Sequence, residues 1–383
     1  MTTTIDNEQK TLNVPNLRFP EFEGEWQENY VNEICNEFKS GKAIKADLIL
    51  DVGTYPVFGG NGLRGYTSTY NHDGLFVLIG RQGALCGNVR SVIGKTYITE
   101  HAIAVNGNNK SDTNFLHYLF LQMDLGRFSD QSAQPGLAVN KLLKLKVITP
   151  RIDEQRKIAN LLRLLDERIA TQNKIIEDLK KLKFAIIDYA IGSLDTNFMK
   201  FGSVYETAGE GGTPTTSNTS FYDNGKIPFI KIGDLKQKYL IGNKDFITEL
   251  GLQKSSAWLV PTHSILFSNG ATIGEITITT YPVCTKQGIL GIVPKANIDV
   301  EFLYYFMSSS YFKKAVSRII TEGTMKTAYL KDIDNILCPI PTKEKQLEIA
   351  KVPSALNFKI DSEQSILKLL YVQKQYLLHQ MFI

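Results

Sequence analysis

Two stretches of the chain place apolar residues at alternating steps of four and three within otherwise polar sequence, one from Ile158 to Ile186 and one from Ile349 to Leu377. This spacing is the seam of a coiled coil and predicts a long helix in each stretch. At about 1.5 Å per residue, a first helix over residues 152–190 is roughly 58 Å long, which suits a spacer. The seam residues expected to pack the helices or bind partners are Ile158, Leu162, Leu165, Ile169, Ile176, Leu179, Leu356, Ile360, Leu367 and Leu370.

The two helical stretches are copies of one module. PRIDEQRKIA (150–159) and PTKEKQLEIA (341–350) share proline, glutamine, isoleucine and alanine at one constant offset. The alternative, two ordinary amphipathic helices in separate globular cores, fits poorly with such long runs without glycine. Pro353 interrupts the second copy, and because proline lacks the helical N–H we expect the second helix to kink or restart there.

The segments before the two helices also correspond. GALCGNV (83–89) is similar to GATIGEI (270–276), and FLHYLF (115–120) is similar to FLYYFM (302–307). By this match, Arg81 and Gln82 stand where the second half has Ser268 and Asn269. Each half is therefore expected to be a variable domain followed by a long helix, and such long repeats decide the fold.

The variable domains contain short β-prone runs separated by glycine, asparagine and threonine turns. Examples are Leu75–Ile79, Tyr97–Thr99, Ile227–Ile232 and Glu275–Thr280. A short helix near Phe115–Gln122 or Phe302–Val316 should close each domain. The expected fold is α+β, with two small irregular sheets, a pseudo-twofold repeat and two long helices. The expected divisions are a flexible tail (1–14), a first domain (15–150), a first spacer (151–192), a second domain (193–341) and a second spacer (342–383).

Composition narrows the class of protein without deciding it. The 383 residues are 43% hydrophobic and 21% charged, as in a soluble globular protein, and we expect the protein in the cytoplasm because no signal peptide or membrane span is evident. A net charge of +4 permits nucleic-acid binding. The four cysteines are scattered and have no histidine at ligand spacing, so we expect neither a zinc site nor a disulfide framework.

Motifs for several enzyme classes are absent. The chain has no Asn-Pro dipeptide of an amino-methyltransferase, no Walker phosphate loop, no H-E-x-x-H and no nucleophile elbow. Gly60, Gly62 and Gly65 do spell the dinucleotide-binding spacing G-x-G-x-x-G. The following residues YTSTYNHDG (66–74) are β-prone and turn-rich, whereas that fingerprint must open a helix. We therefore expect a flexible turn there, and a chain without a catalytic site or a metal.

Two dissimilar domains, each ending in a long helix that opens with Pro-x-x-x-(Glu/Lys)-Gln-x-x-Ile-Ala, resemble the specificity subunit of type I restriction-modification systems. LRFPEFEGEW (17–26) and GGTP (211–214) also resemble segments of that family. The resemblance covers essentially the whole chain and implies a non-catalytic subunit. Each domain would read one half of a bipartite site in double-stranded DNA, and the antiparallel helices would fix the unread gap.

The resemblance also implies partners and cofactors. Two modification subunits would bind around the helices and methylate adenine with S-adenosylmethionine, and restriction subunits would add ATP- and Mg²⁺-dependent translocation and cleavage. Partner subunits could supply much of the phosphate contact, which fits the modest net charge. No membrane partner is implied.

Base reading needs hydrogen-bonding side chains on loops that can enter the major groove. Turns such as GGNGLRG (59–65), GRQG (80–83), SNG (268–270) and TKQG (285–288) offer such side chains, and Thr213 is a candidate phosphate contact. A solvated turn residue is the plainer interpretation of any one of them, and for His101 a structural hydrogen bond is the plainer one. The candidate DNA-binding residues are Asn61, Arg64, Arg81, Gln82, Thr213, Lys231, Asp234, Asn269, Lys286 and Gln287.

Two other functions remain open at this point. One is a scaffold or adhesion-type protein that uses the helices for protein association and its variable domains for peptide or glycan. The other is an enzyme that acts on DNA alone, such as a nuclease. Salt-dependent preference for a bipartite duplex separates the DNA reader from the scaffold.

Overall fold

The computed structural model describes residues 13–130, 136–270, 272–320 and 326–383. The chain divides into two compact units, one formed by residues 1–173 and 365–383 and the other by residues 174–364. Among the described residues, no helix is long and apolar enough to cross a membrane.

The first unit is a mixed domain followed by the start of a long helix. Short 3₁₀ helices lie at Ala46–Leu48 and Leu125–Phe128. In chain order the elements are β1 (Gln27–Tyr30), α1 (Val31–Ile34), β2 (Cys35–Ser40), β3 (Tyr55–Gly59), β4 (Gly62–Thr67), β5 (Leu75–Gly80), β6 (Val89–Ile93), β7 (Tyr97–Ile98), β8 (Ala102–Gly107), α2 (Thr113–Gln122), α3 (Val139–Leu142), β9 (Lys146–Thr149) and α4 (Ile152–Gly192).

Small sheets in this unit enclose its core. An antiparallel sheet has the order β2-β8-β5-β6, a second has the order β4-β3-β7 with β3 parallel to β7, and β1 pairs with β9. Alternate residues of β5 face opposite ways, as strand geometry requires. Val77 and Ile79 therefore join the large cluster with α2 and α4, while Phe76 and Leu78 join a smaller cluster on the other face.

The second unit repeats this plan. Short 3₁₀ helices lie at Phe201–Ser203, Thr219–Phe221 and Ile232–Asp234. Its elements are β10 (Phe198–Lys200), β11 (Tyr205–Glu210), β12 (Ile227–Ile230), β13 (Asp245–Ile247), α5 (Glu249–Gln253), β14 (Ile265–Ser268), β15 (Ile276–Ile278), β16 (Cys284–Thr285), β17 (Ile289–Pro294), α6 (Val300–Ser308), α7 (Ser310–Ile319), α8 (Leu330–Ile333), β18 (Leu337–Pro339) and α9 (Lys343–Met381).

The sheet orders of the second unit match those of the first strand for strand. They are β11-β17-β14-β15, β13-β12-β16 and β10-β18, and again one strand pair, β12 with β16, is parallel. The α+β fold with an internal pseudo-twofold repeat, predicted from the sequence, is confirmed. One detail was wrong: the predicted helix over Phe302–Val316 is two helices, because Ser309 is extended and its side chain caps α7 at Phe312 N.

Backbone hydrogen bonds align the two halves more finely than the sequence does. In the first half Gly80 N donates to Asn88 O, and Gly87 N donates to Gly80 O. In the second half Ser268 N donates to Glu275 O, and Gly274 N donates to Ser268 O. The loop after β5 is thus one residue longer than the loop after β14. Arg81, not Gln82, is consequently the structural counterpart of Asn269.

Helices α4 and α9 run antiparallel within each unit: Lys374 of α9 pairs with Asp166 of α4 in the first unit, and Lys183 Nζ of α4 donates to Asn357 Oδ1 of α9 in the second. α9 is continuous through Pro353, so the predicted restart is wrong. Near the helix ends Ile187 and Leu378 are buried rather than the expected Ile186 and Leu377, since a 3.6-residue turn drifts from a strict heptad. Of the predicted packing residues, Ile158, Leu162, Leu165, Ile169, Ile176 and Ile360 are buried, and Leu179, Leu356, Leu367 and Leu370 are half-buried.

The repeated glutamine explains the motif at the start of each long helix. Gln155 is fully buried; its amide donates to Pro150 O at 2.8 Å and Lys110 O at 2.9 Å, and its oxygen accepts from Asp112 N at 2.9 Å. Gln346 makes the equivalent three bonds to Pro341, Asn297 and Asp299. The aspartates cap α2 and α6, so one side chain holds both helix starts of its domain together.

Candidate nucleic-acid interface

Candidate residues of the first domain meet in one depression. It has a volume of about 450 Å³ and lies between the β3–β4 hairpin tip, the loop after β5 and His101. Asn61, Arg64 and Gln82 all line it, although the hairpin and the loop are separated in sequence. The structure therefore brings these three predicted residues together.

Glycines allow the hairpin and the loop to approach. A Cβ on Gly60 would lie 2.7 Å from the His101 carbonyl oxygen, and a Cβ on Gly80 would lie 2.4 Å from that of Leu85. Gly62 and Gly65 have φ of +108° and +146° within β4. The G-x-G-x-x-G spacing thus forms a β-hairpin and opens no helix, which confirms the expectation of a turn and contradicts a dinucleotide site.

The same edge carries cationic side chains without counterions. The side chains of Arg64 and Arg81 form no ion pair or hydrogen bond with any other described residue. Arg90 on β6, which was not among the predicted residues, belongs beside them: its Nε is buried without a partner among the described residues, and its guanidinium fills the space where Gly62 lacks a side chain. Unpaired guanidinium groups suit phosphate or guanine contacts.

Gln82 and His101 form a hydrogen-bonded pair in this depression. His101 Nδ1 and Gln82 Oε1 are 3.0 Å apart, and His101 Nε2 is 3.4 Å from Glu100 Oε1. With a proton on Nδ1, the imidazole donates to the amide oxygen, which leaves the Gln82 amide group free to donate elsewhere. His101 thus has the structural hydrogen bond expected of it and also orients a candidate reading residue.

The second domain gathers a different set at the corresponding edge. Gln287 N donates to Thr213 Oγ1 at 3.3 Å, and Lys286 N donates to Ile230 O next to Lys231. The turn that presents Lys286 and Gln287 ends at Gly288, whose φ is +91°. Both side chains are exposed. The structure therefore brings Thr213, Lys231, Lys286 and Gln287 near one another.

Besides Thr213, three of the predicted residues in this domain have side-chain partners. Lys231 Nζ donates to Asp245 Oδ1 at 2.7 Å, and its backbone N donates to Asp234 Oδ2 at 2.9 Å. Asn269 is 1% exposed, and its side-chain amide donates to Ala328 O at 3.3 Å. Asn269 therefore cannot offer its amide to a base edge. It is a structural residue that connects its loop to the segment containing Ala328, and not the DNA-binding residue that the sequence suggested.

The described residues hold no group of three or more histidine, cysteine or acidic side chains that could bind a metal. The cysteines are free thiols, and burial raises the pKa of Cys35 and of Cys338 to about 12. Such thiols stay protonated and unreactive at neutral pH. The chemistry offered at the loop edges is binding through hydrogen bonds and positive charge.

Comparison with known proteins fits this architecture. Residues 23–181 and 194–370 each match the type I restriction modification DNA specificity domain. The chain therefore belongs to that family.

Particular relatives agree with the family assignment. The EcoprrI type I specificity subunit of Escherichia coli is 42% identical over 171 residues, and the MjaIX specificity subunit of Methanocaldococcus jannaschii is 31% identical over 176 residues. These matches cover 44% of this chain each, and the chain spans only 41% and 40% of those relatives' lengths. A Mycoplasma genitalium protein assigned as a type I specificity subunit matches at 23% identity over 93% of this chain and 94% of its own.

Solved structures share the fold. The crystal structure of a type I S subunit from M. genitalium superposes with a TM-score of 0.65 at 20% identity, covering 97% of this chain and 99% of that one. A chain from a type I restriction-modification complex gives a TM-score of 0.58 at 15% identity, covering 93% and 97%.

Proposed function

We propose that this chain is the DNA sequence-specificity subunit of a type I restriction-modification complex. Residues 15–150 and 193–341 each read one half of a bipartite site, and residues 151–192 and 342–383 set the gap and bind modification subunits. The observation that carries the proposal is that one backbone, used twice, presents different polar side chains at the same loop edge. Arg64, Arg81 and Gln82 occupy that edge in the first domain, and Lys286 and Gln287 occupy it in the second.

This arrangement suits direct readout. Arginine can donate two hydrogen bonds to guanine O6 and N7, and glutamine can pair with adenine N6 and N7. Changing these side chains alters the bases preferred, while the shared backbone keeps each domain in the same pose. A site with two unlike halves follows from two unlike sets of readers.

Partners supply the chemistry in this proposal. Two modification subunits methylate an adenine in each half-site with S-adenosylmethionine, and restriction subunits cleave with ATP and Mg²⁺. This chain contributes recognition and no catalytic group. The complex acts on double-stranded DNA in the cytoplasm.

The test is to map methylated adenines in cells with and without this chain. The expected result is one two-part motif that appears only with the chain. Exchanging residues 15–150 for those of a relative should alter one half of the motif and leave the other half unchanged. A change in both halves, or no chain-dependent motif, contradicts the proposal and leaves the scaffold function.

A further inference from the structure

The second unit has an open apolar groove. Among the described residues, no other segment of the chain covers it. It lies between the end of α4 and the start of α9 and has a volume of about 540 Å³. Ile186, Tyr189 and Leu194 line one side, and Ile349 and Val352 line the other. Tyr189 and Val352 are 79% and 51% exposed. Large apolar side chains exposed together mark an interaction surface.

The corresponding place in the first unit is covered by the chain's own segment Leu17–Phe22. The constant offset of the repeat equates Ile349 with Ile158, Val352 with Leu161 and Tyr189 with Gln380. Leu17 N donates to Gln380 O at 2.9 Å, and Phe19 and Leu161 both pack against the cluster that contains Ile158. One half of the repeat thus shows what kind of occupant this groove takes.

Sequence accounts for the difference between the two halves. LRFPEFEGEW precedes the first domain, whereas residues 193–202, SLDTNFMKFG, precede the second without a similar segment. Burial differs accordingly: Ile158 is 2% exposed, while its counterpart Ile349 is only half-buried. The second groove has kept its apolar lining without the segment that would cover it.

The charges at the rim are reversed between the halves. In the first unit Arg18 pairs with Glu154 at 2.8 Å, and Lys157 pairs with Glu21 and lies over the Phe19 ring. The offset places Lys345 at the position of Glu154 and Glu348 at that of Lys157. Among the residues that the structure describes, these two side chains form an ion pair with each other and with no other side chain, on the exposed surface.

We propose that this groove binds a four-residue segment of a partner polypeptide. In order, the segment has an acidic residue, an aromatic residue, a residue of any type such as proline, and a basic residue. The acidic residue pairs with Lys345, the aromatic ring packs between Ile349 and Val352, and the basic residue pairs with Glu348. The Leu17–Phe22 segment of a second copy does not fit, because Arg18 would meet Lys345 and Glu21 would meet Glu348. The proposal does not depend on what the two domains read.

Two synthetic peptides test the charge pattern on the full-length chain. One copies residues 17–26, LRFPEFEGEW, and the other exchanges its first two charges, LEFPKFEGEW; both carry fluorine on the first phenylalanine. Their affinities are measured by ¹⁹F NMR line broadening. The exchanged peptide should bind about fivefold to tenfold more tightly, since two exposed ion pairs replace two repulsions. In the K345E/E348K variant this preference should invert.

Further variants separate the groove from other surfaces. V352R should weaken the exchanged peptide at least about tenfold, and L369R, at an exposed leucine of α9 outside the groove, should leave it unchanged. Circular dichroism checks that each variant is folded. Failure of both peptides to bind at millimolar concentration, or equal binding unaffected by V352R, overturns the proposal. Tighter binding of LRFPEFEGEW to the unaltered chain also overturns it, because the groove would then accept a second copy.

Discussion

The two halves of the chain use one backbone with different side chains where that backbone meets its surroundings. At the helix starts, Gln155 and Gln346 make the same bonds, but Glu154 beside the first is 2% exposed under Arg18 and Trp26, whereas Lys345 beside the second lies at the surface. At the loop edges the first half has arginines on the β3–β4 hairpin and on the loop after β5, whereas the second half has a lysine on the β16–β17 turn. Repeated contacts therefore maintain the fold, and the unrepeated ones are where binding can differ.

The largest effect should come from the contact that both halves share. Q155A leaves the Pro150 and Lys110 carbonyls and the Asp112 N–H buried without their partner, and should lower the free energy of unfolding by about 4 kcal/mol; Q346A should lower it by about 3 kcal/mol. The two tryptophans report the units separately, Trp26 in the first and Trp258 in the second. Urea unfolding followed in W258F and W26F backgrounds measures each unit.

Q373A, at an exposed glutamine of α9, is the matched control and should shift neither transition. If the buried and exposed variants have equal midpoints, the glutamines do not lock the helix starts. If Q155A destabilises both units to the same extent, the two units do not unfold independently, and the glutamine contact does not act within one half alone.

A second difference between the halves is their response to acid. Burial, with a smaller contribution from Lys374, lowers the pKa of His117 to about 4, and the equivalent residue of the second half is Tyr304, whose pKa burial raises to about 12. His117 is neutral in the fold, but the unfolded chain takes up its proton below about pH 6.5. Stability of the first unit is therefore full above that pH and falls by about 3 kcal/mol as the pH drops towards 4.

H117Q should remove this part of the pH dependence. The difference in unfolding free energy between the unaltered chain and H117Q, followed by Trp26 in the W258F background, should change by about 3 kcal/mol between pH 7 and pH 4. Y304F should show no such change in the second unit, because tyrosine stays neutral over this range. A constant difference for H117Q would mean that the imidazole is solvated in the fold.

Most of the architecture could be predicted from the sequence. The coiled-coil period and the constant offset between the Gln155 and Gln346 motifs are both visible as residue patterns. The loops could not be predicted as well. Gln82 and Asn269 appeared equivalent because a shared glycine aligned them, while the extra residue after β5 shifts the hydrogen bonds by one. Asn269 appeared exposed because only the fold brings Ala328 over it.

Arg90 and the open groove needed the structure for a similar reason. Arg90 occupies an ordinary strand position, and nothing in the sequence tells that Gly62 makes room for its guanidinium. The groove appears only when Leu17–Phe22 is seen to cover the first helix start. Contacts between segments distant in sequence are the part that a pattern along the chain does not contain.

The smallest of these effects tests whether the two loop edges read different bases. In the complex with modification subunits, R64A should cost about 2 kcal/mol, or about 30-fold in affinity, only on duplexes with a correct first half-site. R64K keeps the charge but loses the two-donor fork, so it should lose the same base discrimination and keep the salt dependence. K286A should cost about 1 kcal/mol through the second half-site and reduce the slope of log affinity against log salt by about one.

Fluorescence anisotropy with duplexes altered in one half-site at a time measures both losses. R156A removes an exposed arginine of α4, away from either loop edge, and should behave as the unaltered chain does. If R64A lowers the affinity for every duplex equally, Arg64 contacts phosphate and not a base. If R64A lowers the affinity only for duplexes with a correct second half-site, the first domain does not read the half-site assigned to it. Two domains that read different half-sites on one repeated backbone require a specific result: R64A should lower the affinity through one half-site and K286A through the other.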